Sequence, residues 1–113
     1  MNTLFILNDG PYGTERSYNG LRLARALSKT QGQTVRVFLI GDAVACARAG
    51  QQVPQGYYNA GDMVRMVGGE VGLCGTCMDA RGLSDEDLVE GARRSTLKAL
   101  AEWTTQADKV LVF

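Results

Sequence analysis

Four short apolar runs, each separated from the next by helical spacing or a glycine-rich turn, constrain this chain more than any other feature. Thr3 to Leu7 is continuous and apolar and stops at Asn8-Asp9-Gly10-Pro11. Val35 to Ile40 is β-branched and closes at Gly41-Asp42. Glu70 to Cys74 follows Gly68-Gly69, and Val110 to Phe113 comes last. Continuous runs of this length suit strands buried on both faces, as in parallel sheets, whereas a strand with one wet face alternates. Strands separated by helices pair in parallel through right-handed crossovers, which puts helices on both sides of one sheet. The pattern predicts an α/β fold with four strands and room for a fifth.

The intervening segments supply the helices. From Glu15 to about Thr30, the apolar positions Tyr18, Leu21, Ala24 and Leu27 recur close to helical period and Gly32 ends the stretch. Ala43 to Ala49 reads as a short second helix, started by Asp42 and stopped by Gly50. Gln51 to Asp62 carries both Pro and Gly and reads as a loop. Met63, Val64, Met66 and Val67 predict a third short helix. Ser84 with Asp87 imitates a capping box, so a helical region is expected to begin just past the cysteines. Leu97, Leu100 and Ala101 continue that spacing through Ala92 to Ala107.

At 113 residues the whole chain, 1–113, fits one domain with one core. Twelve basic and twelve acidic residues cancel, so no net field draws the chain to nucleic acid or to an anionic membrane. Weak self-repulsion favours association instead. The N-terminal apolar run is too short for a signal peptide, and no stretch approaches the ~20 apolar residues that span a bilayer. The expected setting is cytoplasmic, where thiols stay mostly reduced.

Three cysteines, at 46, 74 and 77, cannot all pair, and two form a C-x-x-C, a spacing that outside secreted scaffolds points to metal or redox chemistry. Loops leaving the carboxyl ends of parallel strands converge on one edge, where such sheets place their sites. Cys74 ends the third strand near a predicted helix start and near Arg81, which could favour its thiolate. The competing reading is a buried cysteine that merely closes a core strand.

Several readings of the C-G-T-C motif stay open. As a thioredoxin-type pair it has the spacing and a preceding strand, but both prolines, Pro11 and Pro54, lie upstream of it. As structural zinc it is half a site, since tetrahedral zinc needs about four ligands and the chain has no histidine. Cys46 with Asp79 would have to complete it. Cys46 itself sits in an alanine-rich helical pattern and reads as core. Cys77 could resolve an oxidised or persulfidated Cys74 as a disulfide.

Gly10, Tyr12, Gly13, Asp42 and Asp79 are the candidate substrate-binding positions on the three loops. Gly10, Pro11 and Gly13 could offer backbone N–H groups to an anion or could be ordinary turn residues. Asp79 and Arg81 could orient a sulfur donor or bridge each other. Tyr57 and Tyr58 form an aromatic pair suited to a subunit interface or to covering the sheet's edge. No G-x-G-x-x-G or Walker pattern occurs, so neither a cofactor nor a metal centre is expected.

Six blocks in order resemble the YchN-like branch of the DsrE/DsrF family. They are G-P-Y-G-x-E at Gly10 to Glu15, L-R-L-A-x-A-L at Leu21 to Leu27 and F-L-I-G-D-A-V at Phe38 to Val44. G-Y-Y-N follows at Gly56 to Asn59, then L-C-x-T-C-x-D-x-R-G-L at Leu73 to Leu83, and W-T-x-x-A-D-K-V-L-x-F at Trp103 to Phe113. The resemblance implies a Rossmann-like three-layer α/β/α fold on a parallel four- to five-stranded sheet, assembled as a homotrimer or homohexamer. It also implies a sulfur-relay role, with Cys74 as a sulfurtransferase-type persulfide carrier working with sulfur donor or acceptor proteins and Cys77 as a branch-specific second thiol; Arg81, as a cation near the cysteines, would tune the Cys74 thiolate. The alternatives are a non-enzymatic homo-oligomeric binding module with structural or metal-holding cysteines, and a C-x-x-C thiol-disulfide oxidoreductase.

Overall fold

The computed structural model describes residues 1–113. Five strands form one parallel sheet in the order β4-β3-β2-β1-β5: β1 (Asn2–Leu7), β2 (Thr34–Leu39), β3 (Glu70–Cys74), β4 (Ala92–Ser95) and β5 (Lys109–Val112). The chain steps outward from β1 to β4 and then returns across the sheet to place β5 on the far side of β1. The α-helices are α1 (Arg16–Ser28), α2 (Ala60–Arg65), α3 (Gly75–Ala80) and α4 (Leu97–Gln106), with a 3-10 segment at Gly41–Ala47. Helices cover both faces, as the strand pattern predicts.

Pairing register assigns each side chain to a face. Leu111, Phe5, Val37, Val71 and Ala92 form one row across the sheet, and α1, α2, α3 and the 3-10 segment pack on that side around a cluster of 18 buried residues. In α1, Leu21 and Ala24 are buried and Tyr18 and Leu27 half-buried, the stripe that the spacing predicts. Gly20 lets α1 approach the sheet closely, because a Cβ there would lie 2.5 Å from Leu7 Cδ2. The opposite face carries Leu4, Ile6, Phe38 and Cys74, and α4 alone covers it. Leu4, Phe38 and Leu100 form its small core, bordered by Ile6, Ile40, Cys74 and Trp103.

Two segments depart from the sequence reading. The capping box at Ser84 and Asp87 forms, but it starts only one 3-10 turn, Asp85–Asp87. The chain cannot continue as helix because its next peptides are taken elsewhere: Val89 N–H donates to Ala47 O at 2.8 Å, and Asp87 O accepts from Ala49 N–H at 2.7 Å. Ala92–Ser95, expected to be helical, is instead edge strand β4, paired in parallel with β3. Its Ala-Arg-Arg-Ser sequence has no apolar face because only Ala92 packs against the core, while Arg93 and Arg94 are exposed. The helix proper begins at Thr96, whose hydroxyl oxygen accepts from Ala99 N–H at 3.0 Å.

Smaller shifts follow the same logic of capping. Gly41–Ala47 winds as 3-10 rather than α. α2 starts at Ala60, ahead of the apolar positions, because Asn59 caps it through Asp62 N–H. The cysteine loop is itself helical, since Cys74 is the N-cap of α3.

Candidate functional site

Cys74 is the last residue of β3, placed by register beside Ser95 of β4. Its Sγ accepts the Cys77 N–H at 3.3 Å, while Cys77 Sγ accepts the Gly41 N–H at 3.2 Å. The two thiols therefore lie one helical turn apart, with Cys74 capping the turn and Cys77 pinned to the loop after β2. Both are half-buried, whereas Cys46 is fully buried. Burial pushes the Cys46 thiol up to about 12, so at neutral pH it is an inert part of the core.

α3 separates two clefts at the carboxyl edge of the sheet. One, of about 310 Å³, is lined by Cys74, Thr76, Asp79, Arg94, Ser95 and Leu97 among others. The second, of about 510 Å³, is bounded by the Asp9–Thr14 loop, Asp42 and Arg81. Gly10, Tyr12, Gly13 and Asp42 thus come together, but with Arg81 rather than with Cys74. Asp79 stands with Cys74.

The two aspartates and the two arginines pair across these clefts. Arg81 donates from Nε and Nη2 to Asp42 Oδ1, at 3.1 and 2.8 Å, and from Nη1 to Cys77 O at 3.0 Å. It does not line the cleft of Cys74. Asp79 bonds not to Arg81 but to Arg94, whose Nη1 also donates to Gly75 O. Arg94, on β4, is the site residue that sequence reasoning missed. The one available signal was the absence of any apolar repeat between Gly91 and Thr96, which argues against helix there.

Ionisation of Cys74 runs against the expectation of a stabilised thiolate. Its pKa is raised, first by burial and then by the neighbouring Cys77 thiol, and the backbone N–H groups of Cys77 and Thr76 only partly oppose this. At rest Cys74 is more protonated than an ordinary cysteine.

Four tyrosines brace the second cleft. Tyr58 stacks on Tyr18 at 4.3 Å and on Tyr57 at 4.7 Å between ring centres, and Tyr12 lies 5.4 Å from Tyr58. Tyr58 Oη donates to Pro11 O at 2.7 Å, fixing the Gly10–Gly13 turn. No three Cys, Asp or Glu side chains come together as a metal-ligand set, and no helix is long and apolar enough to cross a membrane.

A parallel five-stranded α/β sheet with a two-cysteine turn at the carboxyl end of β3 defines a class of small thiol-bearing α/β proteins. The chain belongs to the DsrE/DsrF-like family, whose model matches residues 1–113. It is 41% identical to protein YchN of Escherichia coli over 114 residues, covering 97% of each chain. The crystal structure of that protein superposes with a TM-score of 0.92 at 40% identity, covering 99% of this chain and 98% of the other. A TusC homolog of Aliivibrio fischeri is 26% identical over 119 residues, the full length of both.

Proposed function

We propose that this chain is a sulfur-relay protein that carries sulfane sulfur as a persulfide on Cys74. The observation that carries the reading is the half-buried Cys74 thiol at the end of β3, opening on a cleft at the sheet's carboxyl edge. Membership of the DsrE/DsrF-like family and the likeness to a TusC homolog support it. The Cys74 thiolate attacks the outer sulfur of a donor persulfide. The new S–S bond forms as the donor's own breaks, and the donor leaves as a thiolate with that electron pair. Cys77 then discharges the load by attacking the inner sulfur, which leaves a Cys74–Cys77 disulfide and releases hydrosulfide.

The protein works in the cytoplasm, as a homotrimer or homohexamer and with a sulfur donor or acceptor protein. Leu97, Val110 and Val112, all exposed on or beside the α4 face, supply apolar surface for such contacts. Incubating the purified protein with a low-molecular-weight persulfide and weighing it intact tests the reading. A gain of one sulfur atom in Cys77→Ser, lost when Cys74 is also replaced by serine, is the expected result, and no gain in Cys77→Ser overturns it.

One observation favours a second reading, a C-x-x-C oxidoreductase: Cys77 N–H already reaches Cys74 Sγ. That reading requires insulin reduction by the dithiol form, which a sulfur carrier does not catalyse.

A further inference from the structure

Cys74 shares its cleft with a guanidinium that other groups already hold. Arg94 Nη1 donates to Gly75 O at 3.1 Å and to Asp79 Oδ1 at 3.0 Å, and its Nε donates to Asp85 Oδ1 at 2.8 Å. Two carboxylates on one arginine leave the group net negative. Nη2 has no hydrogen-bond partner in the protein, so its two N–H donors remain open to a neighbouring anion. The backbone makes room for this arrangement: a Cβ on Gly75 would lie 3.1 Å from Arg94 Nη1 and 3.1 Å from Ser95 O.

We infer that Arg94 is the positioning residue of the Cys74 site and that Asp79 competes with the Cys74 thiolate for its guanidinium. Asp79 thereby sets how much of Cys74 is nucleophilic near neutral pH. The inference rests on Cys74 being the reacting thiol. It accounts for a sulfur-attacking cysteine whose ionisation is disfavoured although a cation lines the same cleft. With Asp79 engaged, the arginine clamps the start of α3. With Asp79 drawn away, the same guanidinium becomes a counter-ion for the thiolate.

Few other groups can move this ionisation. From α3, Cys77 acts on Cys74 directly, and the charged groups that line the same cleft are Asp79 of α3 and Arg94 of β4, with Asp85 bonded to Arg94. α4 and its cap contribute the uncharged Thr96, Leu97 and Trp103, and the residue after β2 is the uncharged Ile40. Asp42 and Arg81 belong to the other cleft.

The test is the pH–rate profile of Cys74 alkylation by iodoacetamide, read by mass in a Cys77→Ser background. Asp79→Asn shifts the profile to lower pH and speeds alkylation near neutral pH about threefold or more, since one pKa unit is tenfold in thiolate. Arg94→Gln shifts it to higher pH and slows alkylation by a similar factor. Arg94→Lys, which keeps the charge, falls between Arg94→Gln and the parent.

A purely structural clamp predicts something else, because Asp79→Asn and Arg94→Gln break the same bond and would then move the rate the same way. Shifts of one sign, or no shift in Asp79→Asn, overturn the inference. If Arg94→Gln does not fold, Asp79→Asn decides alone, its side chain being 69% exposed. Failure of sulfur uptake in Cys77→Ser would sink the persulfide reading and leave this profile readable.

Discussion

The two faces of the sheet are built to different standards. On one, α1, α2, α3 and the 3-10 segment enclose 18 buried residues. On the other, α4 covers a core of three, Leu4, Phe38 and Leu100. Yet Cys74 belongs by register to the thin face, in line with Ser95, and Cys46, at the centre of the thick one, is chemically silent. Buried side chains are concentrated where the sheet is fully covered, and the proposed sulfur carrier, Cys74, sits where cover runs out.

Matched leucines offer the sharpest test of that contrast. Leu21 on α1 is 1% exposed and Leu100 on α4 is 8% exposed, and each anchors its helix to a face. Truncation to alanine costs about 2–5 kcal/mol in a close-packed core and less where surroundings can collapse or water can enter. Urea unfolding should place Leu21→Ala toward the upper end and Leu100→Ala at least about 1 kcal/mol lower. Equal costs would show that α4 seals its face as tightly as the four elements opposite.

Alkaline pH separates the faces through the Cys46 thiol. Cys46 stays neutral in the folded chain up to about 12, against an ordinary value of 9.0. Its stabilising contribution is therefore whole below pH 9.0 and is lost as pH rises toward 12, because the unfolded chain gives up this proton first. The loss has a slope of at most about 1.4 kcal/mol per pH unit. Cys46→Ala, compared with wild type at successive pH values across that window, should flatten the decline by up to about 1.4 kcal/mol for each pH unit. An unchanged slope would mean that Cys46 is not sealed.

How much of this was legible in the sequence follows the same division. Strands β1, β2 and β3 and helix α1 were readable because burial on one or both sides leaves a continuous run or a stripe. Strand β4 was not, since an edge strand of Ala-Arg-Arg-Ser carries no apolar pattern and its identity comes only from pairing with β3. The same blindness hid Arg94. Cys74 was legible as the end of an apolar run, but the partners of Arg81 and Asp79 were not. Arg81 pairs with Asp42, 39 positions away, and Arg94 with Asp79, 15 positions away, and spacing alone says nothing about contacts at such separations.

The smallest effect on stability should accompany the clearest effect on assembly. Val112, on the free edge of β5, is 64% exposed, and Leu97, the first residue of α4, is 70% exposed. Neither is buried enough for a charge to disturb the folded monomer by more than about 0.5 kcal/mol. If the thin face is left open for another subunit, Val112→Asp combined with Leu97→Asp removes the apolar contact and adds like charges across a symmetric interface. Light scattering should then report a smaller particle while the urea midpoint measured on monomer holds. An unchanged particle size would place the subunit contacts elsewhere and leave α4's sparse cover as a property of the fold alone.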